Sequence, residues 1–506
     1  MRRSGVAVLM LLAGCAVGPD YKRPAPPADA GYTPEPLPAS TAAANTAAGA
    51  SQRFVSGADL SGEWWTLFHS PPLNALVEQA VKGNPNVTAA RAALRQAHET
   101  VLAQKGVYYP QIAAGLSASR NLTPIGAVSP ASASGNPYYS LITPQLSVSF
   151  VPDIFGENAR TVESLAAQAE NQEFQLQATY LTLTSNVVAA AVQEASLRGQ
   201  IAAVQETIRI ESDLLGILQK QMALGQVAGA DVAAQEAALA QAQQALPPLQ
   251  KQLAQQRDQI AVLIGLGPGA DIPERFELDA LDLPVDLPVS LPSKLIEQRP
   301  DIRAAEATLH AASAQIGVAV AARLPQITLG GVVGGSANQL STLFTPGSTF
   351  WTISAGLTQP IFEGGTLLHK QRAAEAAFDQ ATAAYRATVL TGMQNVADTL
   401  HALVSDADAL RAAVAAEAAA RRSLEITRQQ LKLGQIAYLA LLNAEQTYQQ
   451  ARLSLVQAEA NRLADTAALF QSVGGGWWNR LDVAEAEYKP AKHNDGSARA
   501  GGSGTD

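Results

Sequence analysis

Apolar residues recur at alternating steps of four and three along two long stretches without proline, residues 157–224 and 366–433. In the first stretch the apolar stripe consists of Leu197, Ile201, Val204, Ile208, Leu215, Leu218 and Met222. In the second it consists of Val389, Met393, Val396, Leu400, Leu403, Ala407, Leu410 and Val414. A single apolar stripe at this spacing predicts a helix that packs in a coiled coil. At about 1.5 Å per residue, each predicted helix is roughly 100 Å long.

Ahead of each long helix the apolar period changes to two. The first pair of alternating segments carries its apolar residues at Ile112, Ala114, Leu116 and Ala118, and then at Ile142, Leu146, Val148 and Phe150. The second pair carries them at Ile327, Leu329 and Val333, and then at Trp351, Ile353, Ala355 and Leu357. This alternation predicts four strands in two hairpins. Segments of about ten residues match a tilted membrane-spanning strand, but a soluble hairpin with one buried face has the same pattern.

The two halves of the chain share landmarks at a nearly constant spacing, which indicates an internal duplication. The corresponding segments are 84–87 with 299–302, 109–112 with 324–327, and 224–227 with 433–436. The offset is 215 positions for the first two pairs (299 minus 84) and 209 for the third (433 minus 224). A return helix is expected after each Leu-Gly turn, and Pro247-Pro248 is expected to break or sharply kink the first one.

The N-terminus has the features of a secretory signal. Arg2 and Arg3 precede a short apolar run, residues 6–12, and the segment ends in Leu12-Ala13-Gly14-Cys15. Cys15 is the only cysteine in the chain, so no internal disulfide can form. Leu-Ala-Gly before cysteine resembles the lipobox of bacterial lipoproteins, which implies cleavage before Cys15 and its acylation; a chance cysteine in a signal peptide is the alternative. Acyl chains would hold the mature N-terminus in a bilayer.

Composition narrows the class of protein. The formal net charge of −9, without a basic cluster, argues against a nucleic-acid partner. Apolar residues make up 47% of the chain and aromatic residues only 5%, which suits closely packed long helices better than a thick aromatic core. No run of about eighteen apolar residues occurs, so no membrane-spanning helix is predicted.

Enzymatic chemistry has little support in the sequence. The 6 histidines are scattered without metal-ligand spacing. Asp406 and Asp408 lie two apart on a predicted helix, point to different faces and are expected to be solvated charges. The glycine-rich segment 265–269 contains a proline and precedes no helix, unlike a phosphate-binding loop. We therefore expect no enzymatic activity, no metal and no cofactor apart from a covalent lipid on Cys15.

The number of predicted strands constrains the assembly. Four strands cannot close a barrel, and an open edge in lipid leaves backbone groups unsatisfied. Other copies of the chain must therefore complete the sheet. Two copies would give eight strands and a barrel filled by its own side chains, whereas three would give twelve strands and a lumen. The helices would continue the barrel as antiparallel coiled coils, with the Leu-Gly turns at their far tips.

With these features together, the chain resembles the outer-membrane efflux lipoproteins of the TolC/OprM (NodT-type) family. The resemblance is carried by the lipobox, Glu63-Trp64-Trp65, Leu291-Pro292-Ser293, Arg299-Pro300-Asp301-Ile302-Arg303, Ile316-Gly317-Val318-Ala319, Pro325-Gln326-Ile327 and both Leu-Gly turns. It implies an all-α periplasmic α-barrel of antiparallel coiled coils plus a transmembrane β-barrel. Each chain would supply two internal repeats and four strands, and a homotrimer would form the twelve-stranded barrel.

The resemblance also implies a function. The chain would be the passive exit duct for drugs and toxic compounds in a tripartite pump of the resistance-nodulation-division (RND) type. Its partners would be a periplasmic adaptor (membrane fusion) protein, an inner-membrane RND transporter and outer-membrane lipid. It would be lipid-anchored in the outer membrane of a Gram-negative bacterium and extend into the periplasm. One alternative is the exit duct of a type I protein-secretion system, a class that usually lacks the lipobox. A structural envelope coiled coil is another, against which the four alternating segments argue.

Two groups of residues carry the functional roles that the family implies. The adaptor-docking tips are Leu224, Gly225, Gln226 and Val227, and Leu433, Gly434, Gln435 and Ile436; a plain helix cap at these turns is compatible with docking. The periplasmic gate is Tyr438, Leu439, Leu442 and Asn443, and ordinary helix packing is the alternative for its leucines. Family members often have aspartate where this chain has Asn443. We expect a gate closed by Leu439 packing and Asn443 hydrogen bonds, and insensitive to divalent cations.

The expected domain organisation follows from these boundaries. It comprises a signal peptide (1–14), an acylated N-terminus and extended linker (15–58), a first repeat (59–267), a connecting segment (268–292), a second repeat (293–473) and a disordered tail (474–506). Within the first repeat we expect a hairpin at 108–155, the long helix at 157–224 and the return helix at 230–264. Within the second we expect a hairpin at 324–362, the long helix at 365–433 and the return helix at 436–470.

Overall fold

A computed structural model describes residues 17–26, 31–122 and 138–480. The predicted signal peptide, Cys15 and residues 481–506 lie outside the described residues. The helices are α1 (Pro71–Gly83), α2 (Pro85–Lys105), α3 (Glu157–Ala223), α4 (Gly229–Leu263), α5 (Pro292–Gln298), α6 (Pro300–Ala321), α7 (Thr366–Lys432) and α8 (Tyr438–Ser472). The strands are β1 (Arg53–Ser56), β2 (Gln111–Leu122), β3 (Tyr138–Phe150), β4 (Asp286–Val289), β5 (Gln326–Gly335) and β6 (Thr349–Thr358).

The long helices reproduce the repeat seen in the sequence. Helices α3 and α7 each have 67 residues, and the return helices α4 and α8 each have 35. Asn84 is extended and ends α1, and Pro85 starts α2, because the residue before a proline disfavours the helical conformation. Within residues 17–26, 31–122 and 138–480, no helix is both long enough and apolar enough to cross a bilayer.

Of the break or sharp kink predicted at Pro247-Pro248, the break is wrong. Helix α4 continues through both prolines from Gly229 to Leu263. Each proline lacks an amide donor and so removes one helical hydrogen bond. Both proline side chains are exposed, whereas Ala242 and Ile260 of the same helix are buried. Packing of the buried face therefore keeps the helix continuous across the missing hydrogen bonds.

The chain divides into two compact units. Unit 1 contains the described residues of Met1–Asp29, Pro85–Thr179 and Arg299–Gln394. Unit 2 contains the described residues of Ala30–Asn84, Tyr180–Gln298 and Asn395–Asp506. The two compact units therefore do not correspond to the two sequence repeats, because each unit contains segments from both halves of the chain.

Unit 1 contains an antiparallel four-stranded sheet in the order β2-β3-β5-β6. Ile112 on β2 lies opposite Val148 on β3. Leu146 on β3 lies opposite Val333 on β5, which in turn lies opposite Trp351 on β6. Since side chains alternate between the faces of a strand, this register places the predicted apolar residues of all four strands on one face.

The other face of this sheet is polar, and its two outer strands are edges. Small and polar residues occupy that face, among them Ser117, Thr143, Gln145, Ser147, Ser149, Thr328, Thr352 and Ser354. Strands β2 and β6 each pair on one side only within the sheet. The sheet thus has one apolar face, one polar face and two rows of backbone groups available for further pairing.

Residues 31–58, which composition predicts to be part of an extended linker, are packed in unit 2. Strand β1 pairs in parallel with β4, with Phe54 opposite Leu287. The fully buried Arg462 on α8 donates from Nη2 to Thr41 Oγ1 (2.8 Å) and to the Ala50 carbonyl (2.6 Å). A four-residue strand is too short to show a period, so its pairing partner decides its structure.

The expectation of disorder from position 474 onward is wrong for residues 474–480. Trp477 Nε1 donates to the Gln298 carbonyl (2.7 Å), and Trp478 Nε1 donates to Asp59 Oδ1 (2.9 Å). Each indole ring has one hydrogen-bond donor on a large apolar body. Both donors find their acceptors within unit 2. The ordered structure therefore extends at least to residue 480.

Candidate functional site: helix turns, a buried polar bridge and an apolar sheet face

Two equivalent turns join the long helices to the return helices in unit 2. In the first turn Gly225 has φ +72°, and the Gln226 amide donates to the Gln221 carbonyl at 2.9 Å. In the second turn Gly434 has φ +69°, and the Gln435 amide makes the equivalent backward bond. A left-handed glycine with this bond is a Schellman cap, so both long helices end for the same local reason.

Each turn presents a leucine to solvent. Leu224 is 73% exposed and Leu433 is 71% exposed. The following residues are less accessible: Val227 packs against the hydrophobic cluster beneath the turns, and Ile436 is half-buried. The two turns thus present the same exposed apolar side chain at equivalent positions.

The structure divides the four predicted gate residues into two pairs. Leu439 is 63% exposed and Asn443 is exposed, so both are available on the surface of α8. Tyr438 and Leu442 are buried in the cluster formed with Leu218, Val232, Leu424 and Leu441. The packing alternative thus describes Leu442 and Tyr438, while Leu439 and Asn443 keep the accessibility that a gate needs.

Beside this cluster, polar side chains from four helices meet inside the protein. We call this group the polar bridge; it consists of Glu211 on α3, Gln235 on α4, Arg428 on α7 and Tyr438, Glu445 and Gln449 on α8. The Tyr438 hydroxyl donates to Gln235 Oε1. Gln235 Nε2 donates to Glu211 Oε2 at 2.6 Å and to the Glu211 carbonyl at 2.8 Å. Arg428 Nη2 donates to Glu445 Oε1 at 3.3 Å.

The polar bridge contains two carboxyl groups that water barely reaches. Glu211 and Glu445 are each 3% exposed. Burial raises the pKa of Glu445 to about 7, the Glu211 charge adds to this effect, and Arg428 opposes it. Burial likewise raises the pKa of Glu211, against hydrogen bonds from Gln235 and Gln449 and the Arg428 charge. One guanidinium thus faces two buried carboxyls, an arrangement that favours keeping a proton.

Small side chains leave a cavity of about 750 Å³ next to the polar bridge. It is lined from α3 by Thr207 and Glu211, from α4 by Ala242, from α7 by Ala413 and from α8 by Leu442. Gln446 and Thr447 in its lining are exposed, so the cavity opens to the protein surface. Beside it the four helices are joined by the polar bridge and by the cluster around Leu441.

The expectation that Asp406 is a solvated charge is wrong. Asp408 is exposed and pairs with Arg411 at 2.8 Å, as expected for a surface residue. Asp406 is half-buried on the opposite side of α7, where burial and the Asp465 carboxyl raise its pKa to about 7. Two positions on a helix are about 200° apart, so one of this pair had to face the neighbouring helix.

The apolar face of the sheet in unit 1 is the second candidate surface. Ile353 is 80% exposed, and Ile112, Leu116, Trp351 and Leu357 are also exposed. Large apolar side chains in such a continuous array are rarely left in water. Their strands are of membrane-spanning length, which makes lipid the medium that fits this face.

Comparison with known proteins agrees with these features. The chain matches the outer membrane efflux protein family over residues 76–266 and 291–475. It is similar to the pyoverdine export outer membrane protein OpmQ of Pseudomonas putida, with 28% identity over 82% of this chain and 88% of the relative. It is also similar to the toluene efflux pump outer membrane protein TtgF of another Pseudomonas putida strain, with 28% identity over 94% and 96%.

Solved structures give the same result. The outer-membrane channel OprN superposes with a TM-score of 0.81 and 27% identity, covering 92% of this chain and 100% of the other. The open state of the MtrE outer-membrane channel of Neisseria gonorrhoeae superposes with a TM-score of 0.78 and 25% identity, covering 92% and 99%. The chain belongs to the outer membrane efflux protein family. The expected fold class, that of outer-membrane channels with long helices and a strand region, and the expected efflux role are confirmed.

Sequence reasoning missed most of the polar bridge. It singled out Tyr438 for a gate but not Gln235, Glu211 or Glu445. The available signal was Glu445 itself, which lies four and three residues after Leu441 and Leu442 and therefore on the same apolar side of a helix. Such a pattern marks a buried carboxyl only once the partner helix is known.

The raised pKa of Glu445 predicts how stability depends on pH. Between the usual glutamate pKa of about 4.5 and about 7, the folded state binds more protons than the unfolded state, so the free energy of unfolding falls as pH rises. Glu445→Gln removes the titration and should stabilise the helices at pH 8, by up to about 3 kcal/mol per chain. Its melting temperature should also change less between pH 5 and pH 8.

The measurement is circular dichroism of the detergent-purified protein from pH 4 to pH 8. The exposed Glu425→Gln on α7 is the control and should leave the pH profile unchanged. Asp406 titrates in the same window, so the Glu445→Gln profile should be flatter rather than flat. A wild-type melting temperature that rises steadily from pH 5 to pH 8 would contradict this assignment.

Proposed function

We propose that three copies of this chain form the exit duct of a tripartite RND-type efflux pump in the outer membrane of a Gram-negative bacterium. The duct conducts small molecules passively, and the inner-membrane transporter supplies the energy. The chain performs no chemistry and needs no metal or cofactor beyond a lipid on Cys15. The cargo named for the relatives, pyoverdine and toluene, supports a small-molecule cargo here.

The observation that carries this proposal is the sheet with one apolar face and two open edges. Lipid offers no hydrogen bonds, so the free edges of β2 and β6 must find partners if the sheet lies in a bilayer. Pairing β6 of one copy with β2 of the next satisfies both edges. Three copies give twelve strands, and the polar faces then line a water-filled lumen.

The two helix turns are the proposed docking surface for the periplasmic adaptor. Leu224 and Leu433 are exposed apolar residues on equivalent turns, and a partner that covers both would bury them together. The lining of the turns is otherwise polar, through Gln226 and Gln435. The duplication within one chain gives each copy two related contacts, so a trimer would offer six.

The proposed gate consists of Leu439 and Asn443. Both are exposed on α8, and each directly follows a buried residue in sequence, Tyr438 or Leu442. The buried pair fixes the position of the first turns of α8, and through them the position of the two exposed side chains. In this arrangement a ring of leucine and amide groups from three copies closes the duct without fixed negative charge.

The exit duct of a type I protein-secretion system is the alternative function. It shares the tunnel, and the fold alone does not separate the two. The Leu-Ala-Gly-Cys15 signal and the similarity to efflux relatives favour the small-molecule pump. A structural envelope coiled coil would have no use for a four-stranded sheet with an exposed apolar face.

Two neighbouring positions on β6 test the membrane assignment. Ile353 lies on the apolar face and Thr352 on the polar face. Ile353→Arg places a cation in hydrocarbon, at a cost of about 2–4 kcal/mol near the bilayer midplane, and should sharply reduce the heat-modifiable trimer in outer membranes. Thr352→Arg should leave the trimer intact, because its side chain projects into the lumen.

The same two variants test efflux in a deletion strain screened across drugs, solvents and metals. Thr352→Arg should restore resistance to the compounds that the screen identifies, and Ile353→Arg should not. Equal assembly and equal resistance of the two variants would count against a sheet in lipid. Failure of the wild-type gene to restore any resistance, with normal trimer, would instead point to the secretion alternative.

The absence of a carboxylate at position 443 predicts insensitivity of the duct to divalent cations. Carboxylate oxygens bind Mg²⁺ and Ca²⁺, whereas an amide ring lacks the charge for tight binding. In planar bilayers, Mg²⁺ on the helical side should leave the wild-type conductance unchanged. Asn443→Asp should make the conductance fall several-fold on the same addition, and Asn443→Ala, which adds no charge, should not. Collapse of the wild-type conductance would exclude this gate.

A further inference from the structure

Residues 17–26 form a segment that we call the N-terminal strap, and it is fastened to unit 1 along its length. The Val17 amide donates to the Phe155 carbonyl at 3.1 Å. Arg160 on α3 donates from Nε to the Val17 carbonyl (3.2 Å) and from Nη2 to Asp20 Oδ1 (2.8 Å). Its side chain is itself buried. These bonds fix the strap at the point where β3 leads into α3.

The strap crosses helix α6 at a contact between two glycines. Gly18 has φ +99°, and a Cβ atom there would lie 2.4 Å from Gly317 Cα. A Cβ atom on Gly317 would lie 2.9 Å from the Val17 carbonyl oxygen and 2.8 Å from Arg160 Cγ. Neither position can carry a side chain without moving the strap away from the helix.

Further along, the strap is held by its side chains. The Tyr21 ring stacks on His310 of α6, with ring centroids 4.3 Å apart. Arg23 Nη2 donates to Glu306 Oε2 at 2.9 Å, one turn along the same helix. The strap is therefore part of the fold of unit 1, and its first described residue, Val17, has a defined position only two residues after Cys15.

A pocket of about 280 Å³ begins at the same place, and its lining is mixed, with the polar residues Gln104, Asp153, Glu157, Thr161 and Gln326 beside apolar ones. Its apolar lining includes Val107, Val151, Ile154, Phe155, Ala321 and Ile327. Phe155 both lines the pocket and accepts the hydrogen bond from Val17. Ile327 belongs to the apolar face of the sheet, so the pocket adjoins the surface proposed to face lipid.

One polar group in this pocket lacks a partner. Asn158 Oδ1 accepts a hydrogen bond from Gln104 Nε2 at 2.6 Å. Asn158 Nδ2 is inaccessible to solvent and donates to no acceptor in the described residues. A buried donor without an acceptor is costly, and a ligand that brings a carbonyl oxygen and an apolar chain into this pocket would satisfy it.

We infer that this pocket binds a fatty acyl chain carried by Cys15, with Asn158 Nδ2 donating to the carbonyl of its ester or amide. The inference rests on the proposed acylation of Cys15. Two residues span at most about 7 Å, so the acyl groups start close to Val17 and Phe155. Because the tether is so short, the effective concentration of the acyl chain at the pocket is millimolar or higher. Free lipid must compete with this tethered acyl chain for the pocket. The strap thus positions the lipid at the foot of the sheet.

The test uses the full-length chain, expressed with its own signal in cells fed an alkyne-bearing palmitate. A benzophenone amino acid replaces Val107 in the pocket or, as the control, Leu357 on the apolar face of the sheet. After illumination, tryptic peptides are analysed by mass spectrometry. The Val107 probe should cross-link to the acylated Cys15 peptide at least five-fold more than the Leu357 probe, which should mainly capture bulk phospholipid.

Strap variants show whether the strap delivers the chain. Gly317→Val should displace the strap and lower the Val107–Cys15 cross-link about ten-fold, without changing phospholipid capture at Leu357. Asp20→Asn is the milder variant; it weakens only the bond to Arg160 and should lower the cross-link two- to three-fold in a normally heat-modifiable trimer. If Gly317→Val fails to assemble, Asp20→Asn alone decides the role of the strap.

Three results would overturn the inference. They are capture of bulk phospholipid rather than the Cys15 chain at Val107, absence of any cross-link there, and a cross-link that neither strap variant lowers. The mass of the N-terminal peptide separates this inference from the proposed function. An acylated Cys15 without the cross-link removes only the pocket assignment, whereas an unmodified Cys15 removes the lipid anchor as well.

Discussion

Unpaired backbone groups at the edges of one sheet constrain this protein more than any other feature. Strands β2 and β6 are the edges of the four-stranded sheet in the described residues, and all four of its strands turn an apolar face the same way. In water, such a sheet would expose a large apolar surface; in lipid, its edges would lack hydrogen bonds. In the proposed trimer, closure by further copies of the same sheet satisfies both demands. The outer-membrane channel fold, the proposed trimer and the wet lumen all follow from that closure.

The long and return helices must stay packed against each other although they carry few large side chains. Alanine-rich stripes pack closely but leave a cavity of about 750 Å³ where four helices meet. Around it, Tyr438, Gln235 and Glu211 connect three of the helices, and Arg428 and Glu445 connect α7 with α8. Buried polar contacts of this kind are satisfied only in one register, so they specify the helix alignment where apolar packing does not. They also place proton-binding carboxyls beneath the proposed gate.

Periodicity predicted the parts of the fold that are long and regular. The ends of α3 and α7 lie within one residue of the expected helices, because the Leu-Gly turns carry their own capping signal. The alternation around Leu146 and Ile353 predicted both the strands and their apolar face.

Short elements, and features that depend on contacts with distant parts of the chain, could not be predicted from the sequence. Pro247 sits within a continuous helix because packing outweighs the missing hydrogen bond, and strand β1 exists only through its pairing with β4. Asp406 was expected to be a solvated charge and Glu445 was not singled out, because the residues that surround them, such as Asp465 and Glu211, lie on other helices. The packing of the N-terminal strap could not be predicted either, because the contact between Gly18 and Gly317 joins positions about three hundred residues apart.

If the sheet edges are closed by other copies of this chain, the number of chains in one assembly is fixed by the number of strands that the closed barrel needs. Native mass spectrometry of the mature protein, released from detergent micelles, counts the chains in each assembly. We expect an assembly of three chains, with twelve strands, to be the dominant species as long as each micelle holds a single assembly. A dominant single chain that remains folded, with β2 and β6 unpaired, would contradict it.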